Sequence, residues 1–137
     1  MTAHNTATSG LTQNATRLQL GRAPLIALWL TQVALALMFL MAGGSKLAGV
    51  PAMVSLFDAV GLGQWFRYVT GLIEVSSAIA LLVPSAAIYG ALLLIPTMLG
   101  AILTNLFIVH ASPVVPLVLL LGAVTVAWVR RHQLRVS

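Results

Sequence analysis

The sequence predicts an all-α integral membrane protein, a four-helix bundle with a short interfacial helix between the first two spans. Three observations carry that expectation. Apolar residues make up 60% of the chain and charged residues only 7%, where a soluble domain carries roughly a quarter. So few charges cannot cover a water-exposed surface, and lipid is the solvent for most of it. Four apolar runs follow one another, each close to the roughly 20 residues that cover a hydrocarbon core at about 1.5 Å of rise apiece. Proline, glycine and serine separate them.

Residues 1–22, rich in Thr, Ala and Asn, read as a disordered polar tail. The membrane domain is expected over 23–131. Its first span, about 24–46, opens at Pro24, whose missing N–H costs nothing at a helix start. Gly49-Val50-Pro51 then breaks the chain. Ala52 to Val60 suits a short helix, too short to cross, that ends in Gly61-Leu62-Gly63 and reads as an interfacial or re-entrant segment. The second span, about 64–83, begins with Trp65, Phe66 and Tyr68, rings that settle at a membrane boundary. Pro84-Ser85 leads into the third, about 86–109, where neighbouring groups make Pro96 tolerable. Ala111-Ser112-Pro113 turns into the fourth, about 114–129, and residues 132–137 form a basic C-terminal tail. Such short connections make sequence neighbours antiparallel neighbours in space.

The formal charge of +5 gathers at the ends of the chain. Four spans place both termini on one side, with Arg17, Arg22, Arg130, Arg131 and Arg135 there and Lys46 and Arg67 opposite. The positive-inside rule then makes both termini cytoplasmic. No basic stripe crosses a polar domain, which argues against nucleic acid. The chain has no cysteine, which excludes disulfides, thiol chemistry and iron–sulfur ligation by its own residues.

Both acids and two bases fall between Gly43 and Ser77: Lys46, Asp58, Arg67 and Glu74. A charge inside a span marks a candidate site, because it persists only when paired or facing a polar cavity. On the second span Arg67, Thr70, Gly71, Glu74, Ser77 and Ala78 recur at helical spacing, as do Gln32, Ala36, Phe39, Gly43 and Lys46 on the first. Gly90, Thr97, Ala101, Thr104 and Asn105 do so on the third. Lys46, Arg67, Glu74, Asn105 and His110 all fall in the half of the bundle away from the termini, the expected polar pocket. Gly43, Gly71, Thr97 and Ala101 are the expected helix-packing positions. Three readings of Glu74 stay open: a structural ion pair with Lys46 or Arg67, a ligand pocket, or proton handling. Asp58 reads as solvated on the interfacial helix and His110 as a loop-edge histidine. A bis-histidine haem within the chain is excluded, since only His110 falls near a span. No metal-ligand spacing and no nucleophile–base pair is visible, so neither metal-binding nor catalytic residues are expected.

The run Gly43-Gly44-Ser45-Lys46-Leu47-Ala48-Gly49 with Pro51 resembles the G-x-x-K-L-x-G signature of the DoxX and DoxX-like membrane proteins. Phe57, Gly61, Trp65, Gly71-Leu72-Ile73-Glu74, Leu81-Leu82-Val83-Pro84, Leu99-Gly100-Ala101 and Trp128-Val129-Arg130-Arg131 continue the likeness, over about residues 24–131. The resemblance implies a small bacterial four-helix protein of the cytoplasmic (inner) membrane, with Lys46 and Glu74 as its signature charges. The family takes its name from a subunit of an archaeal thiosulfate:quinone oxidoreductase, and a mycobacterial relative is linked to an oxidative-stress complex. By that analogy the expectation is an accessory or quinone- or lipid-binding subunit, partnered by a membrane oxidoreductase and without catalysis of its own. Fold likeness alone does not carry function. A small solute or proton transporter and a purely structural scaffold are the alternatives. A bundle this small is also compatible with a homo-oligomer.

Overall fold

The computed structural model describes residues 3–135, with side chains described except at 3–7, 12 and 14–21. Five α-helices follow in order: α1 (Ala3–Ala48), α2 (Pro51–Val60), α3 (Gln64–Leu82), α4 (Ala87–Phe107) and α5 (Val114–Arg130). A 3₁₀ turn, Arg131–Arg135, completes the described chain. Four segments are long and apolar enough to cross a membrane: Arg22–Ala48, Gln64–Leu82, Ala87–Phe107 and Val114–Arg135. The 10-residue α2 lies between the first two and cannot span.

By its contacts the chain divides after Leu30 into two units. The first is the N-terminal part of α1, so the stretch read as a disordered tail is helical from Ala3 onward, and Pro24 lies inside the helix rather than at its start. Once a helix is nucleated, each added residue costs little, and over 3–30 the strongest opponents of propagation are Gly10, Gly21 and Pro24. Residues 1, 2, 136 and 137 and the Arg17 side chain lie outside what is described.

The second unit is the bundle. On its part of α1 the buried residues are Gln32, Leu35, Ala36, Phe39 and Gly43, and on α3 they are Arg67, Gly71, Glu74, Ser77, Ala78 and Leu81. Both are the stripes that helical spacing picks out. Small residues set the seams. A Cβ on Gly43 would lie 2.9 Å from the Gly71 carbonyl oxygen, and one on Gly90 would lie 2.7 Å from that of Ser77. One on Gly122 would lie 2.8 Å from Leu35 Cδ2. These approaches join α1 to α3, α3 to α4 and α5 to α1, and α4 packs against α5 to close the ring of four. On α4 the buried residues are Ala87, Ile88, Gly90, Ala91, Leu94 and Met98. Most of the stripe expected there, Thr97, Ala101, Thr104 and Asn105, lines a cavity instead.

Positive-φ glycines bracket α2. Gly49 (φ 70°) ends α1 and Gly61 (φ 80°) caps α2, geometries glycine adopts without steric cost. Gly63 (φ 97°) begins the turn into α3.

Candidate functional site: a charged pair in the wall of an apolar cavity

The Gly43–Gly71 contact decides where the charges meet. With the two helices so close, Lys46, just under one turn beyond Gly43, reaches Glu74 on α3. Its Nζ donates to Glu74 Oε2 at 2.8 Å and weakly to the Ala42 carbonyl at 3.5 Å. Glu74 is 2% exposed. Its other oxygen, Oε1, has no partner among the described residues and is left accessible.

Arg67 performs a different task. It is buried, its Nη1 donates to the Lys46 carbonyl, and its Nε donates to Gln64 Oε1 at 2.7 Å. A helix C-terminus leaves carbonyls without intrahelical donors and favours positive charge. Arg67 supplies both to α1. Gln64 extends the chain of contacts by donating through Nε2 to the Val54 carbonyl at 3.0 Å and to Asp58 Oδ1 at 2.7 Å. Asp58 is exposed on α2, yet it anchors that helix to the start of α3.

Beside the pair lies a cavity of about 630 Å³ lined by all five helices. That size suits a small molecule or an acyl or prenyl tail. Its walls are apolar, among them Phe39, Phe57, Phe66, Leu93, Pro96 and Leu119. Among the described residues, polar side chains enter only at Lys46, Glu74, Thr70, Thr97, Thr104 and Asn105. Phe57 and Phe66 meet edge to face, centroids 5.9 Å apart, where α2 covers α3.

The five expected pocket residues therefore separate. Lys46, Glu74 and Asn105 line the cavity; Arg67 and His110 do not. Arg67 is used up in capping α1. His110 is exposed in the α4–α5 turn at φ 52°, a left-handed position that histidine adopts more readily than most residues. Of the expected packing positions, Gly43 and Gly71 lie in the α1–α3 seam, while Thr97 and Ala101 face the cavity. Among the described residues no three His, Cys, Asp or Glu side chains gather as metal ligands would.

The profile of the DoxX-like family matches residues 30–128, a span that contains the paired charges, the cavity and all of α2 to α4. The chain belongs to the DoxX-like family. With four apolar helices it is an integral membrane protein. No curated protein and no solved structure matches it.

A second polar cluster in this DoxX-like bundle escaped the sequence reading. Arg130, 7% exposed, donates through Nε to Gln32 Oε1 at 2.7 Å and through Nη1 to the Pro84 carbonyl at 3.3 Å. Gln32, fully buried, donates to the Leu81 carbonyl at 2.6 Å, and Gln133 to that of Pro84 at 2.6 Å. The available signal was a glutamine inside an apolar run. An arginine closing a span reads equally well as a topology flank, which hid its partner.

Proposed function

We propose that this DoxX-like protein binds a lipophilic molecule, a quinone or a lipid, and serves as an accessory subunit of a membrane redox system. One observation carries the binding reading: an apolar cavity of about 630 Å³ with a buried, half-satisfied carboxylate in its wall. The apolar part suits a tail and the Lys46–Glu74 end a polar head. The redox setting rests on the family likeness, with a membrane oxidoreductase as the partner. The bundle sits in a bacterial cytoplasmic membrane with both termini cytoplasmic. In support, Lys46 and Arg67 are engaged inside the bundle, whereas Arg22, Arg131 and Arg135 are exposed near the ends.

The 2.8 Å ion pair favours a second reading, in which Lys46 and Glu74 only lock α1 to α3. A thermodynamic cycle separates the two. Removing one partner of a buried pair costs about 3–5 kcal/mol, whereas a matched apolar replacement can be neutral. Glu74→Gln and Lys46→Met are each expected to lower the melting temperature, and the double variant to recover much of it. Binding predicts that a lipophile, extracted into organic solvent and identified by mass spectrometry, accompanies the wild type but not the folded double variant. A lock alone predicts equal extracts from both.

A further inference from the structure

Hydrogen-bond accounting around the cavity restricts what its occupant's head can be. Each threonine hydroxyl there has given its one proton to its own helix. Thr97 donates to the Leu93 carbonyl at 2.9 Å and Thr104 to that of Gly100 at 2.8 Å. Thr70 is shared between the carbonyls of Phe66 and Arg67 at 3.0 and 3.1 Å. A hydroxyl so committed can offer a ligand only lone pairs. Asn105 donates to the Ser112 carbonyl at 2.9 Å, leaving its own Oδ1 without a partner among the described residues. Glu74 Oε1 is open in the same way, and a carboxylate is the strongest acceptor of the set. Against these stand one remaining N–H on Lys46 and one on Asn105, the other protons of Lys46 being turned toward Glu74 and Ala42.

The polar groups lining the cavity are thus rich in acceptors and short of donors. We infer that its ligand carries an O–H or N–H on its head: an alcohol, a phenol or an amine on an apolar body. This rests on the binding reading above and narrows it. A head offering only carbonyl or ether oxygens leaves Glu74 Oε1 desolvated without a donor. An anionic head meets that same oxygen with like charge. Of a quinone and its dihydroxy form, the dihydroxy form is the better match.

The test uses the full chain in lipid nanodiscs and two probes of equal tail, para-octylphenol and its methyl ether, titrated calorimetrically. The wild type is expected to bind the phenol about tenfold more tightly than the ether, the scale of one hydrogen bond to a charged acceptor. Ala101→Phe, which fills the cavity, should abolish binding of both. Glu74→Gln, which turns an acceptor into a mixed donor and acceptor, should shrink the preference; should that variant not fold, the wild-type comparison decides alone. Equal affinity for the two probes, abolished by Ala101→Phe, overturns the donor requirement and leaves the binding reading standing. Failure of both probes to bind, or binding that Ala101→Phe leaves intact, overturns the two together.

Discussion

Gly43 shows how one missing methyl group determines the chemistry of this protein. A side chain there would strike the Gly71 backbone carbonyl at 2.9 Å and Val75 Cγ2 at 2.8 Å, and a backbone atom cannot rotate away. Gly43→Ala is therefore expected to push α1 from α3 at a cost of about 1–3 kcal/mol. The same shift lengthens the Lys46–Glu74 contact. Gly100 lies in helix too, but nothing stands within 4 Å of its would-be Cβ, so Gly100→Ala is expected to cost nothing and to raise stability by up to about 1 kcal/mol. Melting temperatures of the two variants in one detergent check both values. Equal losses would mean that the seam does not depend on close approach.

The charges divide their work by helix. Lys46 and Glu74 join α1 to α3, Arg67 completes the end of α1, and Asp58 with Gln64 ties α2 down over the cavity. Arg130 acts at the other end, holding α5 to Gln32 of α1 and to the α3–α4 turn through the Pro84 carbonyl. Arg130→Met removes that link and leaves the fully buried Gln32 Oε1 without this donor. The expected loss is about 1–3 kcal/mol, the penalty for a buried polar group deprived of a partner. Gln133→Ala should cost less, because Pro84 keeps its bond from Arg130 and Gln133 is partly exposed. Chemical or thermal unfolding of the two variants side by side tests that ranking. A larger loss for Gln133→Ala would place the fastening in the 3₁₀ turn instead.

At the scale of the molecule, charge and the membrane set orientation. Arg130 is committed to the bundle interior, so the proposed orientation rests on the exposed bases near the ends, Arg22, Arg131 and Arg135. Arg131 stacks on the Trp128 ring at 4.0 Å, an arrangement suited to an interface where a ring and a cation share the headgroup layer. Because the chain has no cysteine, single substitutions report topology without background. Ser112→Cys, in the exposed α4–α5 turn, should react with a membrane-impermeant maleimide added to whole cells. Ser85→Cys, in the α3–α4 turn, should react only after the membrane is opened. The reverse pattern would invert the bundle.

Much of this was legible in one dimension because the bilayer is an exacting solvent. Apolar runs of spanning length, broken by Gly49-Val50-Pro51, Gly61-Leu62-Gly63 and Ala111-Ser112-Pro113, specify four spans and an interfacial helix, since unpaired backbone is too costly in hydrocarbon. Helical spacing identifies the inward stripes of α1 and α3, and the rarity of charge singles out Lys46 and Glu74. Partner choice was not legible. Arg67 and Lys46 are equivalent candidates for Glu74 by spacing, and only the approach of α1 to α3 at Gly43 awards the carboxylate to Lys46 and the helix end to Arg67. The Gln32–Arg130 bond joins residues 98 positions apart. The cavity has no sequence signature at all, because a void depends on where five helices fail to touch. Composition and period determine what each helix is; distances between helices, which no local pattern encodes, determine which polar groups meet and what space they enclose.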